Sequence, residues 1–142
     1  MKKGVILSIR GCQYYDGQEP EVIELMTEGT LEYRDGGWDI SYEESDLTGL
    51  AGVTTMFRLE PGTVILTRTG KLRSEMVFRE GISHDSLYQM DIGALMITVC
   101  AKQIKANVTW SGGAVDLLYS IQIEGMEAGL VEYHLEIRPK EQ

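Results

Sequence analysis

Apolar and polar residues alternate along almost the whole chain, and no segment carries a convincing 3.6-residue period. Val22 to Arg34 is the clearest case. Ile23, Leu25, Thr27, Gly29, Leu31 and Tyr33 fall on one face, and Glu24, Met26, Glu28, Thr30, Glu32 and Arg34 on the other. One apolar and one wet face is the pattern of an antiparallel strand. The strand is long, and Gly29 offers a bend near its middle. The same spacing predicts strands around Val5–Ile9, Trp38–Glu44, Val53–Leu59, Val64–Arg68, Leu72–Phe78, Leu95–Val99, Val115–Ile123 and Val131–Ile137. Turn chemistry separates them, with a hairpin at Asp35-Gly36-Gly37, a turn at Pro61-Gly62 and a break at Ser111-Gly112-Gly113. The apolar phase slips between Val99 and Ile104, which predicts a bulge. Residues 81–93 are the least regular stretch and are expected to form an irregular loop or one short helix.

Eight to ten sequential strands with short connections favour up-and-down neighbours. A sheet of that size curls, and closure removes its exposed edges. The pattern therefore predicts an all-β, up-and-down antiparallel barrel, with a two-sheet sandwich as the alternative. The 142 residues fit a single domain, 1–142.

Charge narrows the partners. The net charge is −9, and residues 16–46 hold eleven acids against one base, Arg34. Such a face repels phosphate backbones and anionic lipid, so neither nucleic acid nor membrane is an expected partner. It keeps a protein soluble, or it docks a basic partner or a second subunit as a homodimer. Cys12 and Cys100 form no CxxC pair and read as reduced thiols. The apolar run after Met1-Lys2-Lys3 is cut short by Ser8 and Arg10, and no stretch approaches the length of a membrane helix. A cytoplasmic location is expected.

The pieces Glu28-Gly29, Tyr42-Glu43-Glu44-Ser45, Thr48-Gly49-Leu50, Val53-Thr54-Thr55, Leu66-Thr67-Arg68-Thr69-Gly70 and Leu118-Tyr119 stand in an order and spacing that resemble the YwiB-like family, a bacterial domain of unknown function. The resemblance covers nearly the whole chain and is most specific from Tyr42 to Gly70. It implies a calycin-like barrel, similar to lipocalins and fatty-acid-binding proteins, in the cytoplasm of a bacterium of the Bacillus and Clostridium kind. It implies no activity. Where the family pattern leads one to expect a Thr-Pro-type turn between Tyr88 and Gly93, this chain has Gln89-Met90-Asp91-Ile92.

Two charges share parity with inward-facing residues. Glu44 follows Trp38, Ile40 and Tyr42, and Arg68 follows Val64 and Leu66. A buried charge needs a partner, and a bidentate contact between these two is one solution. They form either a structural ion pair near the rim or, with Tyr42, Tyr88 and Tyr119, the polar anchor of a ligand in the lumen. His134 alternates with Glu132 and Glu136 on a wet face, and His84-Asp85 sits in the irregular stretch. No nucleophile elbow, phosphate-binding glycine loop or closed metal set accompanies them. No catalytic residue, metal ligand or cofactor is assigned, and the reading leans against an enzyme. The favoured function is a small-barrel protein binding a small amphipathic ligand. The alternative is a non-catalytic interaction protein with a packed lumen, docking through residues 16–46.

Overall fold

A computed structural model describes residues 2–15 and 17–140; Asp16, one of the acids counted above, lies outside the described residues. Ten strands follow in chain order: β1 (Lys2–Tyr14), β2 (Glu21–Arg34), β3 (Gly37–Glu43), β4 (Val53–Glu60), β5 (Thr63–Gly70), β6 (Ser74–Phe78), β7 (Ser83–Met90), β8 (Gly93–Thr109), β9 (Gly112–Ile123) and β10 (Met126–Pro139). They form one sheet in the order β6-β5-β4-β3-β2-β1-β10-β9-β8-β7. Every ladder is antiparallel, and β1 pairs with β10 to bring the two arms of the meander together. The sheet curls into a nearly closed barrel.

The remaining gap lies between β6 and β7. Arg73 and Gln89 exchange backbone hydrogen bonds of 2.9 and 2.8 Å at one end of it. At the other end the Gly81 N–H donates to the Ala101 carbonyl at 2.8 Å, and the Ile104 N–H donates to Glu80 Oε2 at 2.8 Å. Between these ties no ladder joins Ser74–Phe78 to β7.

Alternation explains the wall. Val5, Leu7 and Ile9 of β1, Ile40 and Tyr42 of β3, and Val53, Phe57 and Leu59 of β4 are all buried. At Asp35-Gly36 both residues adopt positive φ (51° and 79°), the backbone that a two-residue hairpin turn requires. Gly29 marks a close approach, because an added Cβ would sit 2.6 Å from the Ser41 carbonyl oxygen and 2.7 Å from Leu7 Cδ1. Pairing of β2 with β3 begins at the next residue, Thr30. The expected bulge falls between Ala101 and Gln103, leaving the exposed Lys102 unpaired. That extra residue keeps Ile97, Val99 and Ala101 as well as Ile104 on the inner face.

One expectation is corrected. Residues 81–93 are neither a loop nor a helix; most of them form β7, which turns through Asp91-Ile92 into β8. The inward positions of this strand are His84, Ser86 and Tyr88, all half-buried, while Leu87 points outward. Polar residues on the inner face and an aliphatic one outside erase the hydrophobic alternation without disturbing the strand.

Candidate functional site

The barrel has two unlike halves. At one end, where β3 begins and β4 ends, the lumen is filled. Phe57 and Phe78 are wholly buried, and Trp38 meets Tyr33 and Trp110 edge-on with ring centroids 4.9 and 5.0 Å apart. At the other end a cavity of about 370 Å³ enters the lumen. Met76, Leu95, Ile97, Ile121, Ile123 and Val131 supply its apolar wall, Arg68, Tyr88, Tyr119 and Tyr133 contribute polar groups, and Gln13 and Glu21 line it as well. Tyr119 packs against Phe78 (4.6 Å) and Tyr133 against Phe57 (5.3 Å), so these two rings join the aromatic floor to the cavity. Depressions of similar size around Arg10 and His134 lie on the outer wall.

Strand register builds the polar side of the cavity. Tyr42 is paired with Thr55, Thr55 with Arg68, and Arg68 with Ser74. Antiparallel continuation from the Arg73–Gln89 bridge brings Tyr88 opposite Ser74. A belt of hydroxyls around one guanidinium therefore crosses β3 to β7 at one level of the barrel.

The two predicted charges are both there, but they do not pair. Glu44 is buried, and its oxygens accept hydrogen bonds from Thr48 (2.9 Å) and Thr55 (2.5 Å). The Glu44 N–H donates to the Val53 carbonyl at 2.9 Å, which ties the residue to the start of β4. Arg68 makes no ion pair among the described residues, and its Nε is sealed from solvent with no hydrogen-bond partner. Ser74 Oγ, on the neighbouring strand, is likewise buried and unpartnered. An unsatisfied buried polar group costs about 1–3 kcal/mol, so two adjacent ones call for an explanation.

Burial pushes the phenols of Tyr42 and Tyr119 up to about 12, with the nearby Arg68 charge opposing the rise. Tyr133 is raised well above the ordinary value, again mainly by burial and then by Tyr42 beside it. All three are neutral hydrogen-bond donors at neutral pH. Of the predicted site residues, Arg68, Tyr88 and Tyr119 line the cavity. Tyr42 stands within electrostatic reach of Arg68, and Glu44 is engaged behind it by threonines.

Tyr133, Ser74 and Thr55 were not anticipated. Each sits at an inward-parity position among core residues, and that parity was the signal available for them. His84 faces inward with Nδ1 buried and unpartnered. His134 lies on the outer wall with Nδ1 2.5 Å from Asp116 and Nε2 3.4 Å from Glu136. Among the described residues no group of three or more histidines, cysteines or acids is placed to hold a metal ion.

The acidic stretch is less uniform than its composition. Asp39 is buried between Arg34 (2.8 Å) and Arg58 (3.0 Å), Glu28 pairs with Lys140 (2.9 Å), and Glu44 faces inward. No helix among the described residues is long and apolar enough to cross a membrane.

Comparison with known proteins agrees with this architecture. The family described as "Domain of unknown function (DUF1934)" matches residues 7–137. The "Uncharacterized beta-barrel protein YwiB" of Bacillus subtilis (strain 168) is 27% identical over 120 residues, which span 84% of this chain and 82% of the relative. The crystal structure of the ywiB protein from Bacillus subtilis superposes with a TM-score of 0.89 at 23% identity, covering 99% of this chain and 94% of that one.

Proposed function

From the premise that this chain belongs to the DUF1934, or YwiB-like, family, we propose that it is a binding protein that holds a small amphipathic ligand inside its barrel. One observation carries the reading: a cavity of about 370 Å³ opens into the lumen with an apolar wall and an arginine that pairs with no acid among the described residues. Ligand sites are concave and mostly apolar, with a few convergent polar groups, and span about 300–1,000 Å³. This cavity is at the small end of that range and suits a compact ligand. Arg68 and the tyrosines Tyr42, Tyr88, Tyr119 and Tyr133 are its polar anchors, and Glu44 fixes the belt from behind through Thr55. The barrel is read as calycin-like, with the ligand in the lumen as in that architecture. The free thiols of Cys12 and Cys100 fit a cytoplasmic protein.

Docking through residues 16–46 draws less support. Asp39 and Glu28 are neutralised within the molecule, and the packed lumen which that reading supposes is met in only half of the barrel.

Native mass spectrometry of the gently purified protein, followed by denaturing extraction, tests the proposal. A reproducible small-molecule adduct, lost when Ile121→Trp fills the cavity, is the expected result. An apo mass in every preparation, with no small amphipath taken up on addition, would sink it.

A further inference from the structure

The lumen cavity and a second hollow meet at Arg68. A groove of about 640 Å³ runs over the gap between β6 and β7, lined by Arg68, Arg73, Ser74, Glu75, Ser86 and Gln89 among others. Arg68 lines both spaces. Its Nε and the Ser74 hydroxyl are the two buried, unpartnered donors of the belt, and they stand on directly paired positions of β5 and β6. Native proteins rarely leave neighbouring buried donors unmatched unless something else supplies the acceptor. An arginine, with its fork of donors, matches a planar or tetrahedral oxyanion.

Charge around the cavity favours the same place. Glu21 lines the lumen cavity at its mouth, so an anionic head is repelled there. Over the gap Arg68 and Arg73 outnumber Glu75, the one acid among the described residues lining the groove. Glu44 does not pair with the guanidinium; its oxygens accept from Thr48 and Thr55 instead.

We infer that the ligand is an organic anion whose carboxylate- or phosphate-type head is held by Arg68 and Ser74 at the inner side of the β6/β7 gap, with its apolar part in the lumen. This rests on the lumen-binding reading proposed above and adds the head-group chemistry and its seat. The amphipath therefore lies with its charge at the side wall and its tail along Ile97, Ile121 and Val131.

Calorimetric titration of the whole protein with four probes tests it: octanoate, octyl phosphate, 1-octanol and octylamine, at low ionic strength. One or both anions should bind at least tenfold more tightly than octanol, and octylamine should bind least. The preferred anion tells carboxylate from phosphate recognition. Arg68→Met should remove at least tenfold of anion affinity while leaving octanol unchanged. Ser74→Ala should remove several-fold. Arg68→Lys, which keeps the charge but not the fork, should fall between, and it serves as the second variant should Arg68→Met misfold by circular dichroism. Equal binding of octanol and the anions, or an anion affinity indifferent to both Arg68 variants, overturns the head-group assignment and leaves the lumen reading standing. Failure of all four probes to bind, together with an apo mass in native spectrometry, overturns both.

Discussion

At the end where β3 begins, Phe57 and Phe78 are wholly buried and the acid Asp39 is matched: it sits between Arg34 and Arg58, and Arg58 also donates to Glu60 at 2.9 Å and to two backbone carbonyls of the β2–β3 turn. Around Arg68 the position is reversed. Buried donors lack acceptors, and Ile23 and Leu95, which line the same cavity, stand partly in solvent. Both ends are built from the same strands with the same alternation, so strand formation does not account for the difference. One end combines wholly buried aromatic rings with a matched ion-pair network, as a region responsible for folding does. The other breaks the rules of packing and polar satisfaction together, as a region kept for a ligand does.

The largest expected effect bears directly on that contrast. Phe57→Ala should lower stability by about 3–5 kcal/mol, the usual cost of emptying an aromatic site in a core. Leu95→Ala, at the partly exposed end, should cost less than about 1 kcal/mol. Urea midpoints for the two variants measure this. Similar losses for both would mean that the open end is packed like the closed one, and the comparison would break.

Alkaline pH probes the junction between the two halves. The buried Tyr119 phenol is raised to about 12, against about 10 in the unfolded chain. A raised value means that its contribution is complete below pH 10 and is lost as pH rises toward 12. The loss attributable to Tyr119 is on the order of 2–3 kcal/mol. Unfolding free energies at pH 9.5 and 11.5 should therefore diverge less in Tyr119→Phe than in the wild-type protein. Identical pH dependence in the two would show that the phenol reaches water, and that the cavity extends further into the aromatic floor than its lining indicates.

The fold was legible wherever the inner face is aliphatic. β1, β4, β5 and β10 announce themselves mainly by Val, Ile, Leu and Phe at alternate positions, β3 by Trp38, Ile40 and Tyr42, and the bulge at Lys102 by a slip of that phase. β7 was illegible because its inner face holds His84, Ser86 and Tyr88, and hydropathy cannot see a strand whose inward side chains are polar. The site followed the same logic. Parity revealed Glu44 and Arg68, because a charge in an apolar row is conspicuous. Parity alone could not tell whom they meet, since register decides that, and register puts Thr55 beside Arg68 while a loop residue, Thr48, reaches Glu44. Tyr133 and Ser74 escaped notice because an aromatic ring and a small hydroxyl look ordinary in a core.

Two arginines allow the contrast to be sharpened with one kind of substitution. Arg58→Met strips buried Asp39 of one partner, with only the half-exposed Arg34 left to hold it, and should cost about 1–3 kcal/mol. Arg68→Met removes no ion pair among the described residues and relieves an unmatched buried donor, so stability should hold or rise by up to about 1 kcal/mol. Thermal melts of the two variants in parallel read the difference. A marked loss for Arg68→Met would mean that this guanidinium supports the fold and that the orphaned belt is structural. An unchanged or raised midpoint is what a group retained for binding should give, because its stabilising partner arrives only with the ligand.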